Sequence, residues 1–291
     1  MSPTIAKAEN FILKYARPLD YELYRYQRGQ GSQGDVLNAL AAYQNADGGF
    51  GGPLEPDNFC PYSLPLTSWK AITYLRKISC LDSKLALVKG LVSYLQNSRR
   101  ADGYWNTTDP CSQDYPHAPW WEDQGEAQRV WGFNPSAEIS SYLLRLGMIS
   151  ETEFMESLLK RYLDSPGISM HELVNLLVCY ADLKALKWEH LDRFEAKLKA
   201  DLENQVSKTP ETWQGYGLRL SMFSEVMDPI FLSPYQGLIK AEQAYLAEIQ
   251  AEDGSWELNW DWSGKYTDYW PVAMRWWQAI QAIQFLQFLR L

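Results

Sequence analysis

A short phrase that recurs where helical patterns end constrains this chain more than any other feature. It reads Gln44-Asn45-Ala46-Asp47-Gly48-Gly49-Phe50 near the N-terminus and Gln250-Ala251-Glu252-Asp253-Gly254-Ser255-Trp256 near the C-terminus. A middle copy is read as Gln96-Asn97 followed, after three extra residues, by Asp102-Gly103-Tyr104-Trp105. The phrase is a helix stop: Gly relieves positive-φ strain, Asp closes a turn, the aromatic folds back on the helix it has left, and the Gln amide ties the loop to neighbouring backbone. Gly48 and Gly103 are 55 positions apart and Gly103 and Gly254 are 151 apart. A unit of about 50 residues therefore leaves room for two degenerate copies, placed at residues 162–167 and 205–213.

Between the stops the helical patterns are of two kinds. Leu191, Phe194, Leu198 and Leu202 step at three and four with Glu195, Lys197, Lys199 and Asp201 between them, the pattern of a helix with one wet side. The stretch Leu173-Val174-Asn175-Leu176-Leu177-Val178-Cys179-Tyr180-Ala181, and the run from Trp270 to Leu291, are apolar nearly all round and need cover on both faces. Alternation of the two kinds predicts an all-α fold, an α/α toroid of two concentric helical rings with about five hairpin repeats. Inner helices are expected to begin near Pro61, Asn134, Ser169, Thr212 and Asp268, and outer ones near Asp35, Ser83, Glu151, Glu189 and Pro234. The whole of 1–291 reads as one toroid domain, with 1–30 a helical segment packing on the ring and the repeats running from 31 to 291.

Composition narrows the partners. With 291 residues, 46% of them hydrophobic, the chain can bury a substantial core. Its 27 Lys and Arg against 36 Asp and Glu give a formal charge of −9, which supplies no electrostatic footprint for nucleic acid. Charges interrupt the N-terminus before signal-peptide length, and no run of 18 uncharged apolar residues occurs, so the reading is a soluble cytoplasmic protein. Cys60, Cys80, Cys111 and Cys179 lie far apart without a CxxC pair and read as free thiols. The 13 Trp, 18 Tyr and 10 Phe are too many for a clean surface and must line a core or a cavity.

The segment from Tyr245-Leu246 through Gln250 to Gly254-Ser255-Trp256 resembles the QW repeat of terpenoid cyclases of the squalene and hopene type, a superfamily that includes the protein prenyltransferase β-subunits. Lys89-Gly90, Tyr94-Leu95 and Gly103-Tyr104-Trp105 resemble it less regularly. More narrowly, Gly48-Gly49-Phe50-Gly51 with Leu54-Glu55-Pro56-Asp57, then Tyr115-Pro116-His117-Ala118-Pro119-Trp120-Trp121 and Asn134-Pro135-Ser136-Ala137, are similar to a set of small bacterial prenyltransferase-like proteins. The resemblance implies a toroid that holds an isoprenoid or another small hydrophobic ligand in an aromatic cavity.

Residues just before inner helices are the functional suspects, because helix N-termini that converge on one rim favour an anion there. Glu55, Asp57, His117 and Glu138 are the catalytic candidates, and Trp120, Trp121, Asn134, His171, Trp213, Tyr216, Asp268, Tyr269 and Trp270 the ligand-binding ones. For each the competing reading is plain capping or packing. Asn134-Pro135-Ser136-Ala137-Glu138 lies where the resemblance places the Asp-Cys-Thr-Ala-Glu acid of triterpene cyclases, but Asn carries no labile acidic proton, and neither DxDD nor DDxxD occurs. Asp57-Asn58-Phe59-Cys60 with His171 resembles a prenyltransferase zinc site with the spacing one residue too long, so no metal is favoured. No cofactor is required, with zinc or magnesium the weaker alternatives. Two other functions compete: a carbohydrate lyase or hydrolase using Glu55 with Asp57 or Asp261 with Asp268, and a non-catalytic binding or scaffold module.

Overall fold

Local chemistry sets where the helices of the computed structural model begin, over the described residues 3–125 and 131–291. Ser32 with Asp35, and Ser169 with Glu172, form capping boxes in which each side chain satisfies the other residue's orphan amide. Pro65 opens another helix, where its missing N–H costs nothing. The helices are α1 (Pro3–Tyr15), α2 (Pro18–Gln27), α3 (Gln33–Ala41), α4 (Pro65–Lys77), α5 (Ala86–Ser98), α6 (Ser136–Arg145) and α7 (Thr152–Asp164). They continue as α8 (Met170–Ala185), α9 (Leu191–Gln205), α10 (Pro210–Gln214), α11 (Leu220–Phe223), α12 (Pro229–Leu232), α13 (Gln236–Glu248) and α14 (Trp270–Phe288). Strand pairing among the described residues is limited to isolated bridges. No helix among them is long and apolar enough to cross a membrane.

The two kinds of helix are present. α5 buries Val88, Leu91 and Leu95, and α9 buries Phe194, Leu198 and Leu202, each a single stripe. α6, in contrast, buries every residue from Ser136 to Leu144, and α8 buries an unbroken run from Asn175 to Tyr180. The inner helix expected near Thr212 is the exception. There the chain breaks into α10, α11 and α12 with 3₁₀ turns at Ser224–Val226 and Ser233–Tyr235. Gly215 and Gly217 weaken helical continuation after α10, while Pro229 and Pro234 each remove an amide donor and force fresh starts.

The helix stops correct the expected register. In the first, Gln44 Nε2 donates to Gly48 O at 2.9 Å and to Leu87 O of α5 at 2.8 Å. In the last, Gln250 Nε2 donates to Gly254 O at 3.1 Å and to Thr4 O of α1 at 3.0 Å. In the middle one Arg99, not Gln96, holds this place: its Nε donates to Gly103 O at 2.9 Å and its guanidinium to Glu151 Oε1 at 2.9 Å. Arg99-Arg100-Ala101-Asp102-Gly103-Tyr104-Trp105 thus aligns with the other two without insertion, and the three extra residues disappear. The degenerate copies fare differently. Tyr162 lies inside α7, and Gly167 is not among the positive-φ glycines. Gln205 donates to Ile168 O at 3.2 Å, a tie to the segment before α8 and not to a loop of its own.

Each stop is attached through its backbone and its glycine, and two of them also through an indole that returns to its own helix: Trp105 Nε1 donates to Leu95 O and Trp256 Nε1 to Leu246 O, both at 2.8 Å. The backbone of each stop is tied to a further helix. Phe50 N donates to Ser68 Oγ of α4 at 3.0 Å, Trp105 N to Ser136 Oγ of α6 at 3.1 Å, and Trp256 O accepts from Gln278 Nε2 of α14 at 3.2 Å. Its glycine, at φ of +88°, +90° or +92°, presses on a one-sided helix. A Cβ on Gly48 would lie 2.3 Å from Gly90 O of α5, one on Gly103 2.8 Å from the Phe154 ring of α7, and one on Gly254 2.2 Å from Lys7 O of α1.

The chain packs as two units. One comprises residues up to Arg17, Leu159–Trp260 and Met274–Leu291. In it the buried Arg219 Nε donates to Glu242 Oε1 at 3.1 Å, Ser221 Oγ donates to the same oxygen at 2.5 Å, and the guanidinium lies over the Tyr245 and Phe285 rings. The other unit comprises Pro18–Leu158 and Asp261–Ala273. Its core gathers Leu75, Leu91, Leu95, Trp105 and Tyr142, with the Tyr74 hydroxyl donating to the buried Asp20 at 2.5 Å.

Gly48→Ala should cost about 2–4 kcal/mol, since overpacking adds to left-handed strain. Gly29→Ala, where φ is +68° and nothing lies within 4 Å of the added Cβ, should lose only about 1 kcal/mol. Equal losses in chemical denaturation would contradict the docking role. The last stop should also be acid-sensitive. Burial works to raise the Asp253 carboxyl, but the Ser255 hydroxyl and amide and the Arg275 guanidinium outweigh it and hold the group below its usual value. A depressed folded value contributes stability above the unfolded pKa of about 4, lost as pH falls through the folded one. Asp253→Asn should therefore flatten thermal stability between about pH 4 and pH 2 relative to the parent.

Candidate functional site

Three segments of the second unit meet around Asp57. The first, residues 52–60, is turned by Gly52 at φ +64° and by a bond from Asn58 N to Glu55 O at 3.0 Å. The second, residues 115–123, is stiffened by Pro116 and Pro119 and pairs with the first: Phe59 N donates to Pro116 O and Ala118 N to Asp57 O, both at 2.9 Å. The third, residues 261–270, supplies Trp262, whose Nε1 donates to Asp57 Oδ1 at 2.9 Å. Lys265 adds an ion pair to Glu122 at 2.8 Å, which holds the exposed Glu122 carboxyl below its usual range.

Aromatic rings fill the space these loops enclose. Ala118, Trp262 and Ala273 are fully buried, with Phe59, Trp121 and Trp270 packed against them. Phe59 meets Trp262 edge-on at 6.2 Å and Tyr269 at 5.2 Å, and Trp262 lies 5.7 Å from Trp270. Such edge contacts contribute beyond area burial. His117 is buried 5.6 Å from the Tyr266 ring, its Nδ1 2.7 Å from Tyr115 O. A carbonyl only accepts, so Nδ1 carries the proton and Nε2 is left as an acceptor when the ring is neutral. At the edge of the cluster Trp120 and Tyr269 are 41% and 43% exposed.

The structure brings together part of the predicted set. Asp57, His117, Trp121, Tyr269 and Trp270 belong to this cluster, and Trp120 stands beside it. Glu55 is buried and ion-paired with Lys70 at 3.2 Å. Glu138, on α6, accepts from Trp69 Nε1 at 2.8 Å and pairs with Arg76 at 3.4 Å. Asn134 sits half-buried ahead of α6, joined to Pro135 by a cis peptide bond. Asp268 is exposed.

In the other unit, His171 and Tyr216 are exposed partners, with the hydroxyl 2.8 Å from Nε2 and Tyr216 edge-on to Trp260 at 6.1 Å. Trp213 is a packing residue: it is buried, its Nε1 donates to Ser207 O at 2.9 Å, and its ring lies tilted 5.1 Å from that of Tyr245. Among the described residues no group of three or more His, Cys, Asp or Glu side chains is placed to hold a metal ion. Cys60 lies in the 52–60 loop, where burial pushes its thiol up. Sequence reasoning missed Phe59, Tyr266 and the Asp57–Trp262 bond. That bond joins positions 205 apart, with no local pattern to announce it.

No family model matches the sequence, and no curated protein matches it by sequence. Solved structures do match. The apo structure of the type II terpene cyclase MstE from Scytonema aligns over 98% of this chain and 97% of its own at 11% identity and a TM-score of 0.55. A variant of that enzyme holding geranylgeranyl dihydroxybenzoate, its substrate, aligns over 99% and 97% at 11% identity and a TM-score of 0.56. Another, holding the product merosterolic acid A, covers 99% and 96% at 11% identity and 0.55. The likeness shows the fold: all-helical, of the α/α-toroid class of the terpene cyclases.

Trp262→Phe keeps the ring in the cluster and removes the N–H that Asp57 accepts. It should destabilise the protein by about 1.5–3 kcal/mol, the range for a hydrogen bond to a charged group. Amide exchange should speed up first at residues 53–60 and 115–123; acceleration spread evenly over the chain would show that the bond does not tie these segments.

Proposed function

We propose that the protein binds an isoprenoid or another extended hydrophobic ligand at the aromatic cluster around Asp57, and that it does so without the strong acid that starts squalene-type cyclisation. The observation that carries this reading is the convergence of Phe59, Trp121, Trp262, Tyr269 and Trp270 from separate segments, with Trp120 standing exposed beside them. Ring faces suit a polyene chain, and they would also stabilise positive charge on it. The fold supports the reading, since a structural neighbour of the same class holds a geranylgeranyl substrate. Its alignment over almost the whole chain supports taking 1–291 as one toroid domain.

The carboxylates favour binding over acid catalysis. Asp57 accepts from an indole, Glu55 pairs with Lys70, and Glu138 meets Trp69 and Arg76. Each oxygen so engaged serves as an acceptor for a fixed partner. Asn134 stands where the resemblance would place the acid, and an amide cannot protonate an alkene. In this reading Asp57 and His117 shape and polarise the site, Trp120, Trp121, Tyr269 and Trp270 contact the ligand, and no metal or cofactor takes part.

Titration calorimetry with geranylgeraniol and geranylgeranyl diphosphate tests the reading directly. Trp120→Ala and Tyr269→Ala alter exposed positions and should leave the fold intact, yet each should weaken binding about tenfold, or about 1.4 kcal/mol. Affinity unchanged in both variants would remove the site. Binding of neutral oligosaccharides in place of either isoprenoid would move the protein to the carbohydrate-active reading.

A further inference from the structure

Two of the four cysteines, read from the sequence as isolated thiols, meet in the fold. Cys60 closes the 52–60 loop with its backbone fixed on both sides: its amide donates to Asn58 Oδ1 at 3.0 Å and its carbonyl accepts from Gly52 N at 2.6 Å. Cys111 sits in a 3₁₀ turn, Pro110–Ser112, capped by Asp109, whose carboxylate accepts from the Cys111 amide at 2.9 Å. The Cys60 thiol donates to Cys111 O at 3.7 Å, which places the two cysteines side by side. The pair is also layered. Cys60 is fully buried, whereas Cys111 is half-buried, so an oxidant arriving from solvent meets Cys111 first.

We infer that Cys60 and Cys111 are a redox-sensitive dithiol that hydrogen peroxide converts into an intramolecular disulfide beside the Asp57 loop. In the first step the Cys111 sulfur takes an oxygen from the peroxide as the O–O bond breaks; a sulfenic acid forms and one water leaves. In the second the Cys60 sulfur attacks the Cys111 sulfur, the S–S bond forms, the S–O bond breaks, and the hydroxyl departs as water with the Cys60 proton. Two thiols lose two electrons and two protons, and the peroxide is reduced to two waters. A reduced dithiol reagent reverses the change by exchange.

The surroundings set the rate. Burial, and then the Asp109 carboxylate, push the Cys111 thiol well above its ordinary value, and burial raises Cys60 as well. Since the thiolate is the reactive form, the pair should react more slowly than a free cysteine at neutral pH and faster as pH rises. Once formed, the disulfide would tether the loop that carries Asp57 to the 110–112 turn, a link between positions 51 apart. This inference does not depend on the ligand-binding reading, because it is tested on the thiols alone.

The experiment treats the full-length protein with hydrogen peroxide, alkylates remaining thiols under denaturing conditions, and maps the peptides by mass spectrometry. The expected result is one cross-linked peptide pair containing Cys60 and Cys111, two hydrogens lighter than the sum of its parts and restored by dithiothreitol, with Cys80 and Cys179 alkylated in full. In Cys60→Ser the cross-link should vanish and Cys111 should become trappable by dimedone. Should that buried substitution unfold the chain, Cys111→Ser at the half-buried position should equally abolish the cross-link. Cys111 oxidised to sulfinic acid in the parent while Cys60 is still fully alkylated would overturn the inference. So would both thiols fully alkylated after peroxide, or a bridge formed only between chains.

Discussion

The close approach of a left-handed glycine to the flank of another helix is the contact on which the rest of this structure depends. Gly48 sits against Gly90, Gly103 against Phe154 and Gly254 against Lys7, in each case at a distance no side chain would allow. The approach lets the Gln44, Arg99 or Gln250 side chain reach past its own loop, to α5, to Glu151 or to α1. A helix of the one-sided kind has little apolar surface of its own, so its position must be fixed at its ends, and the stop fixes it. The glycine–helix contact and the side-chain tie act as a unit: close packing brings Leu87 O, Glu151 or Thr4 O within reach of the Gln44, Arg99 or Gln250 side chain.

This arrangement accounts for several of the buried tryptophans before any ligand is invoked. Trp105 and Trp256 are spent on the stops, each bonded to the carbonyl ten residues upstream, and Trp213 is spent in a similar way on Ser207. Indoles are suited to the task because they fill volume and carry a single donor that buried backbone can satisfy. Phe50 fills the same place at the first stop without a donor, and there the polar tie falls to its amide on Ser68. Among the aromatic residues of the second unit that no stop uses, those at 59, 121, 262, 269 and 270 gather in one cluster.

The fold was legible in the sequence to the extent that it is local. Glycine followed by an aromatic announces a left-handed stop, and three-and-four spacing separates α9 from α8 without reference to anything distant. The middle stop departs from the Gln pattern. The position requires a long side chain with an N–H donor, which Arg99 supplies as well as Gln44 does. The break after α10 follows from Gly215, Gly217 and Pro229, residues visible in the sequence but overruled there by the expectation of a regular repeat. The site was less legible. Asp57 and His117 are conspicuous, but the reason they matter to each other is the pairing of residues 57–59 with 116–118, and the indole that closes the group arrives from position 262. Long-range partners of this sort leave no periodic trace. The Cys60–Cys111 contact is the same kind of fact, invisible in spacing and evident once the 52–60 loop and the 110–112 turn are in place.

The same distinction bears on chemistry. A carboxylic acid that protonates a hydrocarbon must present a hydrogen to the substrate, so its environment has to leave that oxygen unspent. Trp262 meets Asp57 with a group that can only donate, Trp69 does the same to Glu138, and Lys70 and Arg76 supply cations to Glu55 and Glu138. The acids therefore work as anchors: Asp57 ties the third loop to the first two, Glu55 fixes the first loop to α4, and Glu138 joins α4 to α6. A fold shared with cyclases here uses these buried carboxylates to hold aromatic loops in place.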